Sequence, residues 1–238
     1  MMWLALMGFL IGPVLHHLAV RFGARSPIDL PVCRECAARR RWLGWRTACD
    51  HRAIGRRETA TAIAAAAGCA SAGMVATSGW LTPAYLVFVA VTIVLVITDL
   101  DHKLIPNRVL YPGGALAVLL LGAGALASGR SGDLARAGLG GLAFFGLFFA
   151  VALAARGGFG FGDVKLAALL GVFAAFDSWR TLLITIFFTG VIGGVPALVL
   201  LAIRRARPRD EIPYGPAMVA GAWLALAFWE PFTTWYLG

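Results

Sequence analysis

The sequence predicts an all-α polytopic membrane protein, with about eight transmembrane helices and a short Cys-containing loop outside the bilayer. Three observations predict it. The 238-residue chain is 60% hydrophobic and only 14% charged, far more apolar than a soluble domain. Apolar runs of roughly 20 residues, the length a helix needs to cross the hydrocarbon core, recur along it. The basic residues gather in alternate loops, as topology signals do.

The eight spans fall at about 2–20, 59–78, 81–99, 109–128, 134–155, 163–177, 180–203 and 213–235. The first carries Gly8 and Gly12, a spacing that suits close helix packing, with His16 and His17 near its end as interfacial histidines. It lacks an Ala-x-Ala-like cleavage site and runs into a basic loop, so it is expected to be a retained span. The second is alanine-rich and weakly hydrophobic, and Cys69 inside it reads as a small packing residue. The sixth is short and opens on polar residues. Glycines in the fifth span (Gly138, Gly140, Gly141, Gly146) and the seventh (Gly190, Gly193, Gly194) read as packing surfaces, and Pro196 as a kink in the seventh. Trp3, Trp80, Trp179, Trp229 and Trp235 fall near span ends, as interfacial aromatics do.

Of the 21 Lys and Arg residues, all but Arg130, Arg136 and Arg180 fall in the loops after spans one, three, five and seven, counting Lys165 at the polar start of span six with the loop before it. The positive-inside rule puts those loops in the cytoplasm and both termini outside. The net charge of +9 is thereby accounted for by topology, and a nucleic-acid partner is not expected.

The first loop holds Cys33, Cys36 and Cys49. A cytoplasmic loop is reducing, which disfavours a disulfide. A Cys-x-x-Cys pair followed by a third Cys suits zinc, with His51 as the nearest fourth ligand. The alternative is free thiols in a basic loop.

Two carboxylates stand at membrane edges, where they are costly and need a reason to be there. Asp99 directly follows the apolar run 87–98, in Asp99-Leu-Asp-His-Lys-Leu-Ile-Pro-Asn107. Asp163 opens the sixth span in Gly160-Phe-Gly-Asp-Val-Lys165. Asp163 has three readings: a cap on its helix, a partner of Lys165 or Arg156, or a catalytic acid. Asp101, beside His102 and Lys103, reads as solvated. Pro106 ends its element, and Asn107 is placed to cap the next. Both Asp99 and Asp163 fall on the cytoplasmic side of the predicted topology. Two carboxylates brought together there could share a proton and activate water.

An aspartate six residues before Ile105-Pro106-Asn107, then Gly-x-Gly-Asp two spans later, resembles the type IV prepilin peptidases, membrane aspartyl proteases of the Gly-x-Gly-Asp type. The glycine-rich stretch from Gly8 to Arg21, the Cys-x-x-Cys loop and Ile212-Pro213-Tyr214-Gly215-Pro216 are similar to further features of that family. The resemblance implies that Asp99 and Asp163 are the catalytic pair, and that Gly160, Gly162, Lys165 and Pro106 shape the site. It implies prepilin or pseudopilin substrates, whose short basic leader is cut at the cytoplasmic face of the inner membrane while the apolar helix stays in the bilayer. Proteolysis of this kind requires no cofactor.

The first loop departs from the family pattern, which has two Cys-x-x-Cys pairs and is associated with N-methylation from S-adenosylmethionine. Here Cys49 is followed three residues on by Arg52, which weakens both the zinc and the methylation expectations. The expected organisation is a first helix at 1–21, a basic loop with a shortened methyltransferase-like region at 22–58, and a peptidase domain at 59–238. Rival readings are an ion transporter using the same aspartates, which predicts gradient dependence, and a non-catalytic assembly scaffold, which predicts that both aspartates are dispensable.

Overall fold

The computed structural model describes residues 2–23, 56–154, 160–196, 199 and 213–229. Every expected span is present as a helix. They are α1 (Met2–Gly23), α2 (Arg56–Val75), α3 (Thr82–His102), α4 (Asn107–Ala127), α5 (Asp133–Ala154), α6 (Phe161–Asp177), α7 (Trp179–Thr189) and α8 (Gly215–Leu224). Helices α7 and α8 continue into π-helical turns, Gly190–Gly194 and Ala225–Trp229. Among the described residues there are no strands. Among the described residues, four helices (α1, α3, α4 and α5) are long and apolar enough by themselves to cross a membrane. The protein is an all-α polytopic membrane protein.

Local chemistry explains the boundaries. Pro83 starts α3 at a position where a missing N–H costs nothing. That helix stops at Lys103, which takes the left-handed conformation (φ 53°) and returns its N–H to the Asp99 carbonyl at 2.8 Å. Pro106 then sits at the N-cap of α4 with extended geometry. Asn107 is the first residue of the helix rather than its cap, because its side chain is drawn to Lys165 instead.

Neighbouring helices pair: α1 with α2, α3 with α4, α5 with α6, and α7 with α8. Glycine sets the closest approaches. A Cβ on Gly8 or Gly12 would run into the backbone of Ala65 or Ala62 on α2, so the first pair packs backbone to backbone. In the third pair, Gly140 lies against Ala175, and a Cβ on Gly141 would stand 2.7 Å from Val172. Gly138, Gly146 and Gly190 depart from the packing expectation: they are exposed, and a Cβ on any of them would meet nothing. They lie on the outward arcs of their helices.

Helix α6 is almost wholly buried, and its short length follows from that. A helix sheathed in protein need not present ~20 apolar residues to lipid by itself. Its Phe173 stacks on Phe88 of α3 at 4.1 Å and meets Tyr85 edge-on at 5.4 Å. Outside this core the surface stays apolar, with Leu119, Leu142, Leu153 and Leu183 all exposed. Apolar residues inside and outside alike are the mark of a protein whose solvent is lipid.

At the C-terminal end of α6 two arginines satisfy carbonyls that the helix leaves unpaired. Arg136 donates to the carbonyls of Ala175 (2.6 Å), Phe176 (2.6 Å) and Asp177 (2.9 Å). Arg130 donates to Phe176 O and Thr77 Oγ1 and lies over the Phe176 ring. Asp133 pairs with both arginines. Two of the three basic residues expected on the far side of the membrane are therefore structural clamps.

Candidate active site

Asp99 lies in the last turn of α3, and Asp163 lies in the first turn of α6. The Phe88–Phe173 stack explains why they arrive at one level. Asp99 is about three helical turns beyond Phe88, and Asp163 is about three turns before Phe173. With the two helices antiparallel and the rings in register, both carboxyl groups come to the same end of the bundle. They are within electrostatic reach of each other.

Both side chains are buried, Asp99 at 4% and Asp163 at 8% exposed. Asp99 Oδ2 accepts the backbone N–H of Gly215 at 3.0 Å. Asp163 Oδ1 has no hydrogen-bond partner among the described residues. A buried polar atom left short of a partner is costly to folding and needs an explanation. Gly160, not Asp163, occupies the N-cap of α6. Lys165 gives its ammonium to Asn107 Oδ1 at 3.0 Å. The Lys165-pairing reading of Asp163 thus finds no support in the geometry, its place in the first turn of α6 suits an acid near a helix N-terminus, and Arg156 lies outside the described residues. Asp101, two residues from Asp99, is turned outward and paired with Arg57 at 2.7 Å.

The remaining expected site residues lie in the two turns that carry this pair. A Cβ on Gly160 would stand 3.2 Å from Asp163 Oδ2. One on Gly162 would stand 2.9 Å from the Cβ of Ile105, so the glycine lets the Ile105-Pro106-Asn107 turn settle on the start of α6. Pro106 ends the turn, its carbonyl accepting from the amides of Val109 and Leu110. Cys33, Cys36, Cys49 and His51 lie outside the described residues. Among the described residues, no group of three or more His, Cys, Asp or Glu side chains is placed to hold a metal.

The third wall comes from the turn into α8, which the sequence reading assigned no site role. Gly215 supplies the N–H to Asp99, and a Cβ there would lie 2.8 Å from the Asp99 carboxyl oxygen. Only glycine allows that approach. Tyr214, just before it, donates its hydroxyl to the Thr189 carbonyl at 3.1 Å, and its ring rests on Gly193. Asp163 is within electrostatic reach of Tyr214 as well. The signal available in the sequence was the tight Pro213-Tyr214-Gly215-Pro216 punctuation at a membrane edge. His16, expected at the interface, is instead buried against Thr61 of α2, 3.3 Å from its hydroxyl.

Residues 86–198 match the model of the type IV leader peptidase family. A prepilin leader peptidase/N-methyltransferase of Aeromonas salmonicida (strain A449) is 33% identical over 168 residues, covering 69% of this chain and 55% of that protein. One from Pseudomonas aeruginosa is 30% identical over 159 residues, 66% of this chain and 53% of that protein. One from Bacillus subtilis (strain 168) is 29% identical over 248 residues of alignment, 96% of each. The chain thus spans about half the length of the first two. No solved structure matches. The matched segment holds both aspartates, the Ile-Pro-Asn turn and the Gly-x-Gly-Asp turn, and on that ground the chain belongs to the type IV leader peptidase family.

Proposed function

We propose that this chain is a membrane aspartic endopeptidase that removes the short basic leader of type IV prepilin-like proteins. The single observation that carries the reading is the burial of Asp99 and Asp163 within electrostatic reach of each other at one end of the bundle. Two carboxylates so held titrate as a unit and share a proton. The ionised member takes a proton from water as the water attacks the scissile carbonyl. The protonated member donates a hydrogen bond to the carbonyl oxygen as charge develops there. Collapse of the tetrahedral intermediate returns the proton to the leaving amine and restores the pair. The Gly215 N–H holds Asp99 in orientation throughout, and Gly160 and Gly162 leave room for an extended peptide beside Asp163.

The substrate's apolar helix would stay in the bilayer, with its leader at the cytoplasmic face, as the distribution of basic loops supports. On this reading the enzyme works in the inner membrane. Residues 59–238 would form the peptidase domain, following a first helix at 1–21 and a basic loop at 22–58. The family match begins at residue 86 and lies wholly beyond that loop. It therefore supports the peptidase half of the relatives' two-part name, and methyl transfer from S-adenosylmethionine is a separate proposal for residues 22–58.

The test is a cleavage assay in detergent or liposomes on a peptide with a basic leader, a glycine and an apolar helix. The expected result is one cut after the glycine, identified by mass spectrometry and absent with Asp163→Asn. A methyl increment on the new N-terminus, appearing with S-adenosylmethionine, would add the second activity. Well-folded protein that cuts no such substrate would shift the reading to the transporter or the scaffold.

A further inference from the structure

Lys165 stands two residues beyond Asp163, a spacing at which helical side chains do not face each other. Its ammonium has three partners. It donates to the Asn107 side-chain oxygen at 3.0 Å, and it lies over the rings of Tyr111 at 5.2 Å and Phe161 at 5.1 Å. Asn107 and Tyr111 are one turn apart at the start of α4, and Phe161 opens α6. The ammonium is thus held between the first turns of two helices. Beside it, Ile105 packs where a Gly162 side chain would be. Only the four residues from Lys103 to Pro106 separate α3 from α4, so a group that fixes the start of α4 also fixes the end of α3, where Asp99 lies.

We propose that Lys165 is a positioning residue, a clasp that ties the turn after Asp99 to the turn carrying Asp163 and so sets the separation of the two carboxyl groups. The inference rests on the reading of those aspartates as the reacting pair. A lysine suits the task for physical reasons. Its long stem spans the gap between the helices, and its cation is attracted to both ring faces while donating to the amide. A lysine serving only to contact the leader would keep its ammonium free. Here the ammonium is committed to groups of the protein's own two motifs.

The test compares Lys165→Met, Asn107→Leu and the double variant in the leader-peptide assay. Each single change is expected to lower kcat by up to the order of 10²-fold, the cost of a misplaced reacting group. KM should stay within about two-fold, since the clasp does not touch substrate. The double variant should be no slower than the slower single variant, because one clasp is lost either way. A rise in KM at unchanged kcat would make Lys165 a substrate contact and overturn the proposal. Multiplying losses, or no loss at all, would overturn it too.

A second readout needs no substrate. In a background with the four native cysteines replaced, Ile105→Cys and Gly162→Cys should form a disulfide on mild oxidation, and adding Lys165→Met should slow it severalfold. Equal rates with and without Lys165 would mean that the two turns are held by other contacts, and the clasp would be discarded. If Lys165→Met slows the cross-link as expected but the cysteine-free protein with Ile105 and Gly162 intact cleaves nothing, the result would count against the peptidase reading and leave the clasp standing.

Discussion

The two ends of α6 handle polar groups in opposite ways. At the C-terminal end, Arg130, Asp133 and Arg136 are bonded to one another or to the last carbonyls of the helix. Thr181 closes the network by donating to Asp177 at 2.5 Å. At the N-terminal end, Asp163 is buried with one oxygen lacking any partner among the described residues, and Asp99 holds a single backbone donor. Satisfied networks stabilise and specify a fold. Unsatisfied buried carboxyl groups weaken it, and they persist where chemistry uses the missing bond. On the proposed reading the same helix is anchored at one end and reactive at the other.

The largest expected effect lies at the reactive end. Asp163→Asn and Asp99→Asn should each lower cleavage by about 10³-fold or more, with insertion and thermal melting in detergent close to the parent. Cleavage by Asp99→Asn at the parent rate would reassign the pair. Gly215→Ala comes next. Its methyl would press on the Asp99 carboxyl group, and a loss on the order of 10²-fold in kcat is expected. An alanine variant with normal kcat would show that the third wall can yield without moving Asp99.

At the anchored end the order reverses, with stability falling and chemistry spared. Arg136→Ala removes three charged hydrogen bonds to α6 carbonyls and should cost about 2 kcal/mol, read as a lower melting temperature. The kcat of the protein that remains folded should stay within about two-fold. A large loss of kcat without loss of stability would mean that the anchored end controls the reactive one and would break the contrast. Asp101→Asn should do least. It removes one exposed ion pair with Arg57, worth under about 1 kcal/mol, and cleavage should be nearly unchanged. A dead Asp101 variant would assign the reaction to Asp101 in place of Asp99.

The helices were legible in the sequence because length and hydropathy are local properties. Each of the eight spans appears as a helix, its ends shifted by a few residues at most where the structure describes them. The depth of Asp99 relative to Asp101 was legible for a similar reason: Asp99 directly follows an apolar run and Asp101 stands among polar neighbours. The roles of particular glycines were not. Gly140 and Gly138 are two residues apart in one helix, yet one touches α6 and the other touches nothing. Sequence spacing does not say how far a helix is rotated about its axis. Arg130 and Arg136 counted as charge in a loop-by-loop reading, whereas their task is to bond the end of a helix distant in sequence.

By itself the sequence determined that the chain is a bundle of membrane helices and that two carboxylates stand at span ends expected on the same side. Apolar content sets the first, and the parity of spans with the bias of basic loops sets the second. The meeting of those carboxylates was decided by tertiary structure, through the Phe88–Phe173 stack that aligns α3 with α6. So were the Gly215 amide on Asp99 and the Lys165 ammonium on Asn107. Each brings together groups far apart in the chain, which only the packing of whole helices against one another can do.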